Sequence, residues 1–152
     1  MGPGPPIILD THLWIWGNSD PSRLPQAHLQ LLEEKKRELA ISAISVWEVV
    51  TAAQKGRIKT TISPEQTVRG WLRANEIRVI PLDEEIALLA RTLEFQHSDP
   101  ADRFIAATAF RHGLSLVTVD SNLRGLPWLS VSPTRNEPLN LASGIQPRFE
   151  PL

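Results

Sequence analysis

The sequence contains no cysteine and no tyrosine. The first absence removes disulfides, thiolate metal sites and cysteine nucleophiles. No stretch approaches the ~18 consecutive apolar residues that a membrane-spanning helix needs. The opening Met-Gly-Pro-Gly-Pro-Pro lacks the basic segment and apolar run of a secretory signal, so a cytoplasmic location is expected. Positive charge is not in excess either: 16 Lys plus Arg stand against 17 Asp plus Glu, a formal net charge of −1. That balance argues against a broad duplex-binding surface but allows a local basic rim. No internal repeat is visible, and no lysine follows Lys59.

What is present reads as one globular domain: 152 residues, 41% hydrophobic and 22% charged, ordinary values for a folded chain. Short apolar runs at Ile7-Ile8-Leu9, Leu39-Ala40-Ile41, Ile77 to Ile80 and Leu114 to Val119 have the length and character of buried strands. Between them lie segments with helical spacing: 22–38, Ile44 to Gly56, a helix opening at Ser63-Pro64-Glu65, and another capped by Asp83. Trp128 to Val131 reads as an edge strand. Strands alternating with helices predict an α/β fold in three layers, a central mostly parallel sheet of four to five strands flanked by helices. Residues 1–6 read as a flexible lead-in, 7–132 as the domain, and 133–152, with four prolines, as a tail.

The acidic residues fall at telling places. Asp10 and Asp120 each end a strand, where open α/β sheets bind ligands. Asp99-Pro100-Ala101-Asp102 is a helix start, with Asp99 as N-cap and Pro100 at the first position, and residues three apart share a face. Glu48 stands among Ile44, Val46, Trp47, Val49 and Val50, and a charge in such company needs a partner or a task. Each acid also has a plainer reading. Asp10, Asp99 and Asp102 can cap or complement helices, and Ser45-Val46-Trp47-Glu48 is a literal capping box.

Taken together, Asp10, Glu48, Asp102 and Asp120, with Asp99 as a fifth, converge on one sheet edge. Two carboxylates about 5 Å apart repel by roughly 3 kcal/mol at an effective dielectric of 20, and several such pairs exceed what a domain of ordinary stability tolerates. Some of the acids are therefore protonated, or a cation neutralises them. Hard ions such as Mg²⁺ or Mn²⁺ suit an all-oxygen site, and metal-assisted phosphodiester hydrolysis is the chemistry such a site performs.

The span from Ile7 to about Val131 resembles a PIN domain, specifically a VapC-type toxin ribonuclease. The matching pieces are Ile8-Leu9-Asp10-Thr11-His12, Ile41 to Glu48, Asp99 to Ala109, and Leu116-Val117-Thr118-Val119-Asp120. The resemblance implies Mg²⁺- or Mn²⁺-dependent RNA cleavage, an inhibitory antitoxin partner and a homodimer, with no membrane association. It implies Asp10, Glu48 and Asp102 as the core metal-site acids and Asp120 as a more variable fourth, with Asp99 supporting. Asp10 and Asp102 are the expected metal ligands, and all four acids the expected catalytic set.

Further residues carry two readings each. Thr11 and Thr118 bind substrate or serve the fold, and Arg103 binds phosphate or pairs with Glu48. His97 and His12 are ligands, bases or structural groups. Trp47 and Trp71 fit apolar helix faces, while Trp14 and Trp16 either pack in the core or stack on bases. Two other classes compete. A phospho-receiver domain shares the sheet and acid pocket but needs a late lysine after a strand, which is missing. A catalytically silent PIN-like interaction module would not need the intact acids.

Overall fold

The computed structural model describes residues 6–36, 38–96 and 99–134. His97 and nearly all of the lead-in and tail lie outside them, so those expectations have no structural counterpart. The chain runs β1 (Ile7–Leu9), α1 (Thr11–Ser19), a 3₁₀ turn (Pro21–Arg23), α2 (Gln26–Glu34), β2 (Leu39–Ser42), α3 (Ala43–Gln54), α4 (Pro64–Ala74) and β3 (Arg78–Ile80). It continues through α5 (Glu84–Thr92), α6 (Pro100–His112), β4 (Ser115–Val117), α7 (Ser121–Arg124) and β5 (Val131–Ser132).

The five strands form one sheet in the order β3-β2-β1-β4-β5. Every pairing is parallel, with Ile7 against both Leu39 and Ser115. Because successive strand residues face opposite ways, Ile7 and Leu9 enter one apolar core with Leu13, Trp14 and Val49. Ile8 enters the other with Ile105, Ala106 and Leu116. Helices thus cover both faces, the arrangement a short all-parallel sheet requires.

The central strand ends abruptly. The Asp10 amide donates to the Val117 carbonyl at 3.0 Å, pinning the carboxyl end of β1 to that of β4. β2 passes into α3 without a loop, since Ser42 caps the helix by accepting from the Ile44 amide at 3.2 Å. Asp83, Ser63 and Asp99 cap their helices as the sequence predicts. α6 closes on Gly113, whose φ of 64° is left-handed, so Gly113→Ala is expected to cost about 1 kcal/mol, read as a lowered melting temperature.

Several expected boundaries move. The helix foreseen over 22–38 breaks at Leu24-Pro25: proline holds Leu24 extended, at φ −76° and ψ 130°. Among the described residues of that span, only Gln26–Glu34 is α-helical. α1, expected from the sequence to stop at Gly17-Asn18, runs on to Ser19, with Asn18 Nδ2 and Ser19 Oγ donating to the carbonyls of Trp14 and Ile15. The edge strand shifts from Trp128–Val131 to Val131–Ser132. Trp128 is held instead by its indole N–H, which donates to the Glu94 carbonyl at 3.0 Å.

Candidate functional site

The acids gather at the carboxyl edge of the sheet. Asp10 follows β1, Asp120 follows β4 and caps α7, Glu48 lies midway along α3, and Asp102 is in the first turn of α6. Asp10 is 1% exposed and makes no capping hydrogen bond to α1, so its plainer reading fails. Its Oδ2 accepts from the Thr118 hydroxyl at 2.7 Å. Its Oδ1 is buried and accepts no hydrogen bond of bonding geometry, although the nearby Thr11 amide favours the charged form. A buried carboxylate oxygen without a donor is costly.

The capping-box reading of Glu48 also fails. Ser42, not Ser45, caps α3. Ser45 is buried inside the helix, its hydroxyl 2.7 Å from that of Thr11. Thr11 has one proton to give and donates it to Glu48 Oε1 at 2.5 Å. The Ser45 hydroxyl is therefore the donor to Thr11, and a relay Ser45 to Thr11 to Glu48 fixes the carboxylate. The inner stripe of α3 is Ser45, Val49 and Ala52. Trp47 sits on the opposite side and is 63% exposed, contrary to the expected apolar contact. Glu48 flanks the stripe, partly buried at the rim.

The acids feel one another. Burial raises Asp102 to about 9, and the negative charges of Asp10, Asp99, Asp120 and Glu48 add to the effect. Burial raises Glu48 to about 7 against the Thr11 hydrogen bond, with Asp10 and Asp99 contributing. Asp10 is raised as well, chiefly by burial, which the Thr118 hydrogen bond and the charge of His12 oppose. Asp99 spends Oδ1 on the Ala101 amide at 2.9 Å, and Asp120 spends Oδ1 on the Asn122 amide at 2.9 Å. These two do cap helices, yet their charge reaches the cluster.

Among the described residues, no three His, Asp or Glu side chains close into a ready-made metal cage.

Thr11 and Thr118 are 1% and 0% exposed, so their hydroxyls position acids rather than touch substrate. Thr118 Oγ1 also accepts the Asp120 amide at 3.1 Å, linking two acids through one side chain. Behind it stand two residues that local sequence patterns do not reveal. His28 Nε2 and Arg124 Nη1 both donate to the Thr118 carbonyl, at 3.0 and 3.1 Å. Burial lowers the His28 pKa, keeping the imidazole neutral with its Nδ1 unpartnered.

Arg103 is engaged elsewhere than at Glu48: Nη1 donates to the Ala90 carbonyl at 3.1 Å, and its guanidinium lies 4.8 Å from the Phe95 ring centroid. Trp14 and Trp16 are 1% and 2% exposed, which removes base stacking from their roles. His12 packs edge-on against Trp16.

With four acids gathered at the carboxyl edge of a parallel sheet, the chain belongs to the PIN-domain family, whose model matches residues 7–129. Over 121 residues it is 38% identical to Ribonuclease VapC22 of Mycobacterium tuberculosis, an alignment spanning 78% of this chain and 89% of that protein. A chain of a toxin–antitoxin complex from Klebsiella pneumoniae is similar at 28% identity and TM-score 0.60, covering 80% of this chain and 93% of that one. VapBC2 from Rickettsia felis, bound to a DNA fragment from its promoter, shares the fold at TM-score 0.62 and 17% identity, with 82% and 96% covered. Among the described residues no helix is long and apolar enough to cross a membrane.

Proposed function

We propose that this protein is a VapC-type toxin ribonuclease that hydrolyses RNA phosphodiester bonds at the acidic cluster. It acts with Mg²⁺ or Mn²⁺, forms a homodimer, and is restrained by a cognate antitoxin. The observation that carries the reading is Asp10: a buried carboxylate with one oxygen tied to Thr118 and the other left without a donor. The likeness to a VapC ribonuclease and to a toxin–antitoxin complex supports it.

The donor set fits a hard divalent ion. It is all oxygen, three of its carboxyls are raised in pKa by burial and mutual repulsion, and the Asp10 oxygen lacks a partner. Asp10 and Asp102 would hold the ion, with Glu48, Asp120 and Asp99 supporting. When bound, a divalent ion lowers the pKa of water and offsets charge on the phosphoryl oxygens.

The chain's own groups do the rest. Thr118 and Thr11 keep Asp10 and Glu48 from rotating, so little is lost to reorganisation when substrate arrives. With Oε1 committed to Thr11, Glu48 has Oε2 left to orient water or take its proton. Burial and the neighbouring acids hold Glu48 at about 7 in the ion-free protein, and a bound cation would favour its ionised form.

The direct test incubates the protein with a panel of RNAs and Mg²⁺ or Mn²⁺, with and without a chelator. Cleavage that the chelator stops is expected. A complete lack of cleavage would return the field to the silent-module reading. Thr118→Val should lower cleavage about 10–100-fold, the usual cost of removing a hydrogen bond behind a metal ligand, while Thr118→Ser keeps most of it. Equal rates in the two variants would show that the hydroxyl does not position Asp10.

A further inference from the structure

Beside the acids lies a second feature. A cleft of about 620 Å³ opens between the α5–α6 connection and the loop before β5, lined by Arg91, Phe95, Gln96, Arg103 and Trp128 among others. The aromatic side is built rather than incidental. Phe95 and Phe110 both meet Trp128 edge to face, at centroid distances of 5.3 and 5.6 Å. The indole N–H of Trp128 is fixed on the Glu94 carbonyl. Arg103 is held over Phe95, and one N–H goes to Ala90. Arg91 is exposed near the end of α5.

Position ties the cleft to the acidic site. Asp99 caps α6 and Arg103 is the fourth residue of that helix, so both stand at the same helix start. At 1.5 Å per residue they are separated by about 6 Å along the helix. A strand whose reacting phosphate sits at the acids therefore has its neighbouring nucleotides within reach of the cleft. Cations fixed beside aromatic rings suit unstacked bases and their phosphates, not a duplex.

We propose that this cleft is a subsite for single-stranded RNA flanking the scissile bond. Arg91 and Arg103 meet phosphate, and the Phe95–Trp128 wall packs against a base. This rests on the ribonuclease reading, and it concerns binding, so the two can fail separately.

The test uses full-length protein carrying Asp10→Asn, to suppress cleavage, and a fluorescein-labelled single-stranded RNA hexamer read by anisotropy. Adding Arg91→Glu is expected to weaken binding about tenfold or more and to reduce the salt slope by about 0.7, one phosphate contact on a single strand. Arg91→Lys should retain most of the affinity. Photocrosslinking a 5-iodouridine hexamer should label peptides containing Phe95 or Trp128. Unchanged affinity and salt slope in Arg91→Glu, crosslinks confined to other segments, or no binding at all would each overturn the subsite. Hexamer binding at the cleft with no cleavage by the unsubstituted protein would instead defeat the ribonuclease reading and leave a single-strand binding cleft with no scissile bond beside it.

Discussion

Asp10→Asn is expected to abolish RNA cleavage, by at least ~10³-fold, while the protein folds as before. The size follows from what Asp10 does and not from its burial alone. Asn keeps an oxygen to accept the Thr118 hydroxyl, so the hydrogen bond that links β1 to β4 survives. What goes is the negative charge at Oδ1, the atom with no protein partner. Losing ~10³ in rate corresponds to ~4 kcal/mol of barrier, more than a positioning defect usually costs and in the range of a lost charge contact at the reacting centre. Neutralising Asp10 also relieves repulsion on Asp102 and Glu48, both of which it raises. The variant should therefore melt at the same temperature as the parent or higher when no divalent ion is present. Cleavage near the parent rate would remove Asp10 from the chemistry. A lost activity accompanied by a lower melting temperature and altered circular dichroism would mean that its role is structural.

The sheet edge was legible because its signals are local. Three apolar residues followed by Asp10 mark a buried strand end, and Asp99-Pro100 followed by Asp102 marks a helix start. Both stand where expected. The supports of the acids were illegible for the opposite reason. Thr11 reaches Glu48 across 37 positions, and His28 reaches Thr118 across 90. No periodicity within a helix or strand encodes such pairings. Ser45 shows how a local rule misleads: its spacing to Glu48 is that of a capping box, but β2 runs straight into α3, which moves the helix start to Ala43 and buries Ser45. Trp47 fails similarly. Hydrophobicity says that a residue prefers burial, but the position of the 45/49/52 stripe decides which residues receive it. Arg103, read as a phosphate contact or a partner for Glu48, does not meet Glu48 because Ala90 offers a carbonyl and Phe95 a ring face.

The second large effect is on stability. Without divalent ions, the protein should lose stability steadily from about pH 5 to about pH 9. Asp102, at about 9, and Glu48, at about 7, keep their protons in the folded chain, whereas the unfolded chain releases them near pH 4. Between those limits the folded state binds more protons, so the free energy of unfolding falls as pH rises. The decline for Glu48 ends near pH 7, and that for Asp102 continues to about pH 9. Asp102→Asn removes the larger contribution. It should flatten the upper part of the profile and stabilise the ion-free protein by roughly 2–4 kcal/mol at pH 8, about 5–12 °C in melting temperature. Mn²⁺ should do for the parent what the substitution does by other means. Ion binding requires ionised carboxylates and releases their protons, so the rise in melting temperature should be larger at pH 8 than at pH 5.5. Asp102→Asn, having lost a ligand, should respond weakly at both. If the variant keeps the parent's slope against pH and its full Mn²⁺ response, then Asp102 neither carries the strain of the cluster nor binds the ion. Repulsion among these carboxyls would then have to be relieved by solvent at the rim. A stability of the ion-free protein that falls with pH and the proposed affinity for a divalent ion would have one cause, the same crowded carboxyls.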